Sequence, residues 1–528
     1  MKSLMKRVFA AAAAIATVFG LAATTVATAN AADNATLTVS TTDAKFAGKT
    51  VNAYKMFSAT VSGDGKAVSY TLTDEWKPFF KNSVGLTGVT DENVNDKAHD
   101  YVSKLKDSTL VAFATKASNW AQTKANNITA DATATVSADA SNGKYTATFT
   151  GLGYGYYVVA VPGATLANAK SQYATLVSVH STKVDADIKG DLPTVDKKVQ
   201  VDGTGKDATD AKIGDTLTFT LTSTIPDMSA YDTYTFNFKD TLSKGLTFGQ
   251  VKSVKVENVT LTENTDYTVT TPTASNNNTL TVAMKDFKTK QQANAGKKIT
   301  VTYTATLNEN AVVGGAGNVN SAKIQYSNNP STNGTGESEP SKVRVFTYGF
   351  TVDKYTGDQY TDAATRLAGA EFTLAHKDGS AISFVQVSAG SATANAVYRV
   401  AKAGETGTTT ITTPANGKVV FEGLENGEYT LTETKAPAGY NKLASAIGVK
   451  VDGQNNGTDT TNATVTITYN NDNGNDYNQT ASNGVIPVQN KSGAILPGTG
   501  GMGTIAFTVI GVLVIALGVA WTLKRKNA

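Results

Sequence analysis

The 528-residue sequence contains no cysteine, so it has no disulfide, no thiolate metal site and no thiol nucleophile. Histidine is nearly absent too: only His99, His180 and His376 occur, scattered along the chain. No Gly-x-Ser-x-Gly elbow, His-Glu-x-x-His pair or phosphate loop is present. These absences predict a protein that is not an enzyme and needs no cofactor or metal. The Asp452–Gly457 loop carries oxygen ligands, but Asn, Asp and Gly also make ordinary turns. Charge of one sign is lacking as well: 47 Lys and Arg face 44 Asp and Glu, which excludes a strongly basic nucleic-acid binder. Hydrophobic residues at 40% exclude a wholly disordered chain.

Long apolar runs occur only at the ends. Met1-Lys-Ser-Leu-Met-Lys-Arg7 precedes an apolar run from Val8 to Ala23, and Ala29-Asn-Ala31 offers a small-x-small cleavage site. That order predicts a secretory signal peptide over 1–31. At the other end, Thr504 to Leu523 carries no charge and is long enough to span a bilayer. Lys524-Arg-Lys526 follows in the cytoplasmic tail, 524–528, and would hold that end inside. Immediately before the run stands Leu496-Pro497-Gly498-Thr499-Gly500. Pentapeptide, apolar run and basic tail in this order resemble the LPxTG cell-wall sorting signal of Gram-positive bacteria. The resemblance implies that a sortase cysteine attacks the Thr499 carbonyl, releases Gly500 onward and leaves a thioester for an amine to resolve. The two removed ends hold six positive charges and no acid, so the formal +3 becomes −3 in the expected mature chain.

At roughly 150 residues per domain, the length suits about three domains. Between the ends, Thr, Val and Tyr alternate with a period of two, as in Thr216–Leu221, Ile299–Tyr303 and Val465–Tyr469, with Gly, Asn and Asp between runs. The pattern predicts an all-β chain of tandem immunoglobulin-like sandwiches. Asp91–Asn126, free of Gly and Pro, predicts a helical insertion in the first domain. The expected segments are 32–190, 191–345 and 346–490, then a tether and sorting motif over 491–500. The stretch Asn328–Ser341 is loop-like, either a late hairpin or an approach to the boundary.

Three residues break apolar strand faces in the third segment. Glu433 shares a face with Tyr429 and Leu431, Lys354 with Phe350 and Val352, and Asn490 with Ile486 and Val488. A buried lone carboxylate is costly unless it is protonated or partnered. The stretch Tyr429-Thr-Leu-Thr-Glu433-Thr-Lys-Ala-Pro-Ala-Gly-Tyr440 resembles the E-box of pilin subunits built on the collagen-adhesin B-type (Cna-B) domain. This implies a self-formed isopeptide bond between Lys354 and Asn490, promoted by Glu433.

The second segment repeats the pattern. Lys197 alternates with Val195, Val199 and Val201; Asp240 with Tyr234, Phe236 and Phe238; Asn320 with Ala322, Ile324 and Tyr326. The stretch Gly317–Asn329 resembles the closing strand of the middle domain of major pilins, which implies a Lys197–Asn320 bond promoted by Asp240. Asn318, two residues earlier on the same face, competes with Asn320. In the first segment, Lys55 resembles a first-strand lysine, whereas Gly151–Val159 resembles an E-box strand without its acid, so no bond is expected there.

The resemblance to sortase-assembled major pilins also calls for an acceptor amine near the end of the first domain. Val184–Lys197 has that arrangement without the usual Tyr-Pro-Lys, so Lys189 is the first choice and Lys183 the second. The implied partners are identical subunits, pilin-specific and housekeeping sortases, accessory pilins and peptidoglycan. The expectation is a shaft subunit joined head-to-tail through Lys189 and Thr499, wall-anchored and supporting adhesion. The alternative is a monomeric wall-anchored adhesin, or a minor or tip pilin.

Overall fold

The computed structural model describes residues 34–62, 67–164, 174–328, 334–358, 362–454, 457, 463–470, 477–493 and the helix 502–526. The expected signal peptide and the Leu496–Gly500 motif lie outside the described residues. The chain divides into two compact units. One runs to Tyr348 and takes in Gly453–Val465; the other holds Gly349–Asp452 and the residues from Thr466 on.

Among the described residues, the architecture is six β-sheets with a few helices. In the first unit, Ala35–Thr41 lies between antiparallel Tyr145–Leu152 and parallel Lys183–Asp187. A second sheet centres on Thr50–Val61, which pairs with Val68–Leu72, Ala132–Thr135 and Gly155–Ala160. Helices Val94–Ser103 and Asp107–Gln122 fill the expected helical stretch, broken between Ser103 and Asp107. A short helix with no helical signal in the sequence, Lys77–Asn82, precedes them. Its Pro78 sits in the first turn, where no intrahelical N–H is needed, so the proline starts this helix and does not break it. Trp76, Phe79, Phe80 and Phe113 bury the helices against the sheet.

Farther along this unit, a six-stranded sheet carries Asp196–Val201, Thr216–Thr224, Lys298–Leu307 and Leu246–Val256 as neighbours in that order. A seven-stranded sheet carries Ser341–Phe346, Asn318–Ser327, Phe236–Leu242 and Thr279–Met284 likewise. Alternate residues point inward: Phe219 and Leu221 from the first sheet, Phe236, Phe238 and Ile324 from the second. Within the stretch read as loop-like, Thr335–Glu337 pairs back antiparallel on Gln325–Ser327. Ser341–Phe346 then follows, so the Asn320 strand is not the last of this segment, contrary to the expectation from the sequence.

In the second unit, one sheet runs Phe384–Ser388, Ala396–Val400, Lys418–Leu424, Tyr348–Tyr355, Val485–Gln489. The other includes Glu371–His376, Gly427–Lys435, Ile447–Gln454 and Thr464–Tyr469. Tyr348–Tyr355 and Val485–Gln489 pair in parallel although more than a hundred residues separate them. Gly349 permits close approach of the adjacent strand: a Cβ there would lie 2.3 Å from the Phe421 carbonyl oxygen. The C-terminal helix Met502–Lys526 contains the expected span 504–523. Among the described residues, no helix is long and apolar enough to cross a membrane.

Candidate functional site: two buried lysine–carboxylate–asparagine clusters

In the second unit, period-two alternation turns Lys354, Glu433 and Asn490 into the sandwich interior, and all three are buried. Parallel pairing sets Lys354 opposite Val488, two residues before Asn490. Glu433 arrives from the other sheet. Lys354 Nζ lies 3.4 Å from Glu433 Oε1 and donates to the Val488 carbonyl at 3.1 Å. Asn490 Nδ2 donates to Glu433 Oε2 at 3.0 Å and to the Asn441 carbonyl at 2.9 Å. The Leu443 N–H donates to the same Glu433 oxygen at 2.8 Å. Asn490 Oδ1 is buried without a hydrogen-bond donor. Burial pushes the Lys354 amine down to about 8, against the opposing pull of the Glu433 carboxylate.

The first unit holds a second cluster on the same plan. Lys197 projects from the six-stranded sheet; Asp240 and Asn320 project from the facing sheet, all fully buried. Lys197 Nζ contacts Asp240 Oδ2 and donates to the Tyr303 hydroxyl at 2.8 Å. Tyr303 donates to Asp240 Oδ2 at 2.6 Å, and Asn320 Nδ2 donates to the Tyr303 oxygen at 2.6 Å. The lysine nitrogen also sits 5.1 Å from the ring centres of both Phe219 and Tyr303. Burial lowers the Lys197 amine to about 8, with Asp240 opposing. Asp240 Oδ1 and Asn320 Oδ1 lack hydrogen-bond partners. Such buried orphan acceptors cost about 1–3 kcal/mol each.

Asn318, the competitor, is held elsewhere. Its Oδ1 accepts from the Val312 N–H at 2.9 Å, and its Nδ2 donates to the Val312 and Val345 carbonyls at 3.1 and 3.2 Å. Tyr303 is a cluster member that sequence reasoning misses: alternating with Ile299 and Val301, it reads as ordinary core. The Asn441 and Val488 carbonyls carry no side-chain signal at all.

The first segment differs. Its Lys55 amine lies 5.7 Å from the Tyr157 ring centre. Among its described residues, the buried polar side chains are Ser118 and Gln122. Lys189 follows the strand Lys183–Asp187 and pairs with Asp187 at 3.4 Å, its side chain 34% exposed. Lys183 is exposed at the start of the same strand, which is an edge of its sheet. Among the described residues, no cluster of His, Asp and Glu could hold a metal ion.

Comparison with known proteins fits this class of double sandwich. Residues 213–330 match the family described as Gram-positive pilin backbone subunit 2, Cna-B-like domain, and residues 358–466 match the SpaA prealbumin-like fold domain. Two segments of the chain thus resemble those domains, together over less than half of its length. A curated relative, the trypsin-resistant surface T6 protein of Streptococcus pyogenes serotype M6, is 26% identical over 279 residues. That match covers 48% of this chain and 44% of the relative, so less than half of the relative's length is spanned. Among solved structures, the T6 backbone pilin of serotype M6 Streptococcus pyogenes aligns at 18% identity and TM-score 0.46, over 87% of this chain and 99% of that one. The major pilin SpaA of Corynebacterium diphtheriae aligns at 15% identity and TM-score 0.45, over 87% and 100%.

Proposed function

We propose that this chain is the structural shaft subunit of a covalently polymerised Gram-positive pilus, stiffened by two self-formed isopeptide bonds. The observation that carries the reading is the pair of buried lysine–carboxylate–asparagine clusters. A structural ion pair needs no asparagine amide beside it; an amide exchange does. In the proposed step, the neutral Lys354 amine attacks Asn490 Cγ while Glu433, beside both Nζ and the leaving Nδ2, acts as the acid–base group between them. The Cγ–Nδ2 bond breaks, one proton passes from Nζ to the leaving nitrogen, and ammonia departs. Lys197 and Asn320 play the same parts in the middle domain, with Asp240 as the acid–base group. Each bond forms once, so this is maturation and not turnover.

The Lys354–Asn490 link would join strands that already pair in parallel at the two ends of the third segment. Pulling tension would run through the amide and leave the sandwich folded. An amide also resists reduction, which suits a secreted chain without cysteine.

Assembly follows from the pilin-backbone domains together with the end motifs. A pilin-specific sortase forms the Thr499 thioester, and Lys189 of the neighbouring subunit resolves it. A head-to-tail contact that does not close gives a filament. The 504–523 segment holds the precursor in the membrane before sorting, a housekeeping sortase transfers the polymer to peptidoglycan, and accessory pilins complete a fimbria that supports adhesion. The test is an immunoblot of wall extracts boiled in SDS, with wild type beside Lys189→Ala and Lys183→Ala. A high-mass ladder that collapses to monomer in Lys189→Ala supports the full reading. A ladder lost only in Lys183→Ala keeps the shaft and moves the acceptor. A single wall-linked band in wild type overturns the shaft in favour of a monomeric adhesin or minor pilin.

A further inference from the structure

We infer that Tyr303 is a catalytic residue of the middle-domain cross-link, relaying the proton between the attacking amine and the departing amide nitrogen. The inference rests on the isopeptide reading above. Its basis is a difference between the two clusters. In the second unit, the Glu433 carboxylate reaches the leaving nitrogen itself, at 3.0 Å. In the first unit the acid is Asp240, one methylene shorter, and the partner of Asn320 Nδ2 is the Tyr303 hydroxyl at 2.6 Å. That hydroxyl donates to Asp240 Oδ2 at 2.6 Å, and Asp240 Oδ2 also contacts Lys197 Nζ. An unbroken hydrogen-bonded path therefore runs from Lys197 Nζ through Asp240 Oδ2 and the Tyr303 oxygen to Asn320 Nδ2. A buried tyrosine hydroxyl needs one partner; this one has three, and two of them are the reacting nitrogens.

The step balances without an outside acid or base. Lys197 Nζ bonds to Asn320 Cγ and loses one proton to Asp240 Oδ2. Tyr303 gives its proton to Nδ2 as the Cγ–Nδ2 bond breaks. Asp240 returns a proton to the Tyr303 oxygen. One ammonia leaves, and both relay groups end as they began. Packing fixes the phenol ring in place, because it stacks on Phe219 with ring centres 5.3 Å apart and planes 18° from parallel.

The test is pulse-chase peptide mapping of the full-length chain, following the Lys197–Asn320 and Lys354–Asn490 cross-linked peptides separately. Tyr303→Phe keeps the ring and removes only the hydroxyl. Its Lys197–Asn320 bond is expected to form at least about a hundredfold more slowly, the lower end of general acid–base contributions. Its Lys354–Asn490 bond should keep wild-type pace. Phe219→Leu disturbs the same stack but keeps the hydroxyl, and it is expected to cross-link within a few-fold of wild type. Cross-linking of Tyr303→Phe at wild-type rate overturns the relay. Equal slowing in Tyr303→Phe and Phe219→Leu overturns it in favour of packing. Wild type without a Lys197–Asn320 peptide overturns the parent reading itself, a result distinct from both.

Discussion

Replacing Asn490 with alanine separates the covalent contribution of the third-segment cluster from its packing. The variant cannot form the Lys354 amide, yet Lys354 keeps Glu433 as a partner at 3.4 Å. The closed loop in wild type spans about 136 residues, from position 354 to 490. In the chain-entropy treatment used for disulfides, a loop of that length restricts the unfolded chain by about 5 kcal/mol. Asn490 Nδ2 leaves as ammonia in the cross-linked chain, so its hydrogen bonds to Glu433 and the Asn441 carbonyl add nothing to this difference. For a sandwich of this size, about 3–4 °C accompany each kcal/mol, so its unfolding temperature should fall by roughly 15–20 °C. Calorimetry reads the transition, and mass spectrometry of the same sample reads the bond as one missing ammonia in wild type. A variant that melts within about 3 °C of wild type, with wild type cross-linked, would refute the entropic reasoning. A wild type of full mass would refute the bond.

Three further outcomes follow from the same geometry. In Asn490→Ala the Lys354 amine stays free, with a folded pKa of about 8 below the ordinary 10.5. The unfolded state then binds more protons between those values, so stability should climb with pH from about 8 to 10.5; urea midpoints that stay flat relative to wild type would contradict this. Asp240→Asn keeps the shape of the middle cluster but cannot accept and return a proton; its chain should lose one ammonia where wild type loses two, and a two-ammonia deficit would remove Asp240 from the reaction. Gly349→Ala should cost about 1–3 kcal/mol in denaturant titration, because its methyl meets the Phe421 carbonyl oxygen 2.3 Å away; no loss would mean the strands part freely.

Much of the fold was legible because strand alternation is local. Phe236, Phe238 and Asp240 fall on one face by the period of two, whatever the rest of the chain does. The same rule exposed Lys197, Lys354, Glu433 and Asn490 as polar residues on apolar faces. The helical stretch was legible in part: Val94–Ser103 and Asp107–Gln122 lie within it, while Lys77–Asn82 was hidden by Pro78. The Gly-, Asn- and Ser-rich stretch allows either a hairpin, as Thr335–Glu337 makes, or a boundary, and it hides the strand Ser341–Phe346 that follows.

The sequence by itself determined which side chains face inward, because periodicity needs no partner. Only the tertiary structure decided which inward residues meet. Asn318 and Asn320 share a face and cannot be ranked by period; the Val312 backbone engages one, and Tyr303 from the facing sheet engages the other. Tyr303 itself is indistinguishable from core in its own strand. It becomes the centre of a hydrogen-bond path only when two sheets stack and bring Lys197, Asp240 and Asn320 around one hydroxyl. Contacts across a sandwich depend on register and sheet packing, and those are properties of the assembled fold.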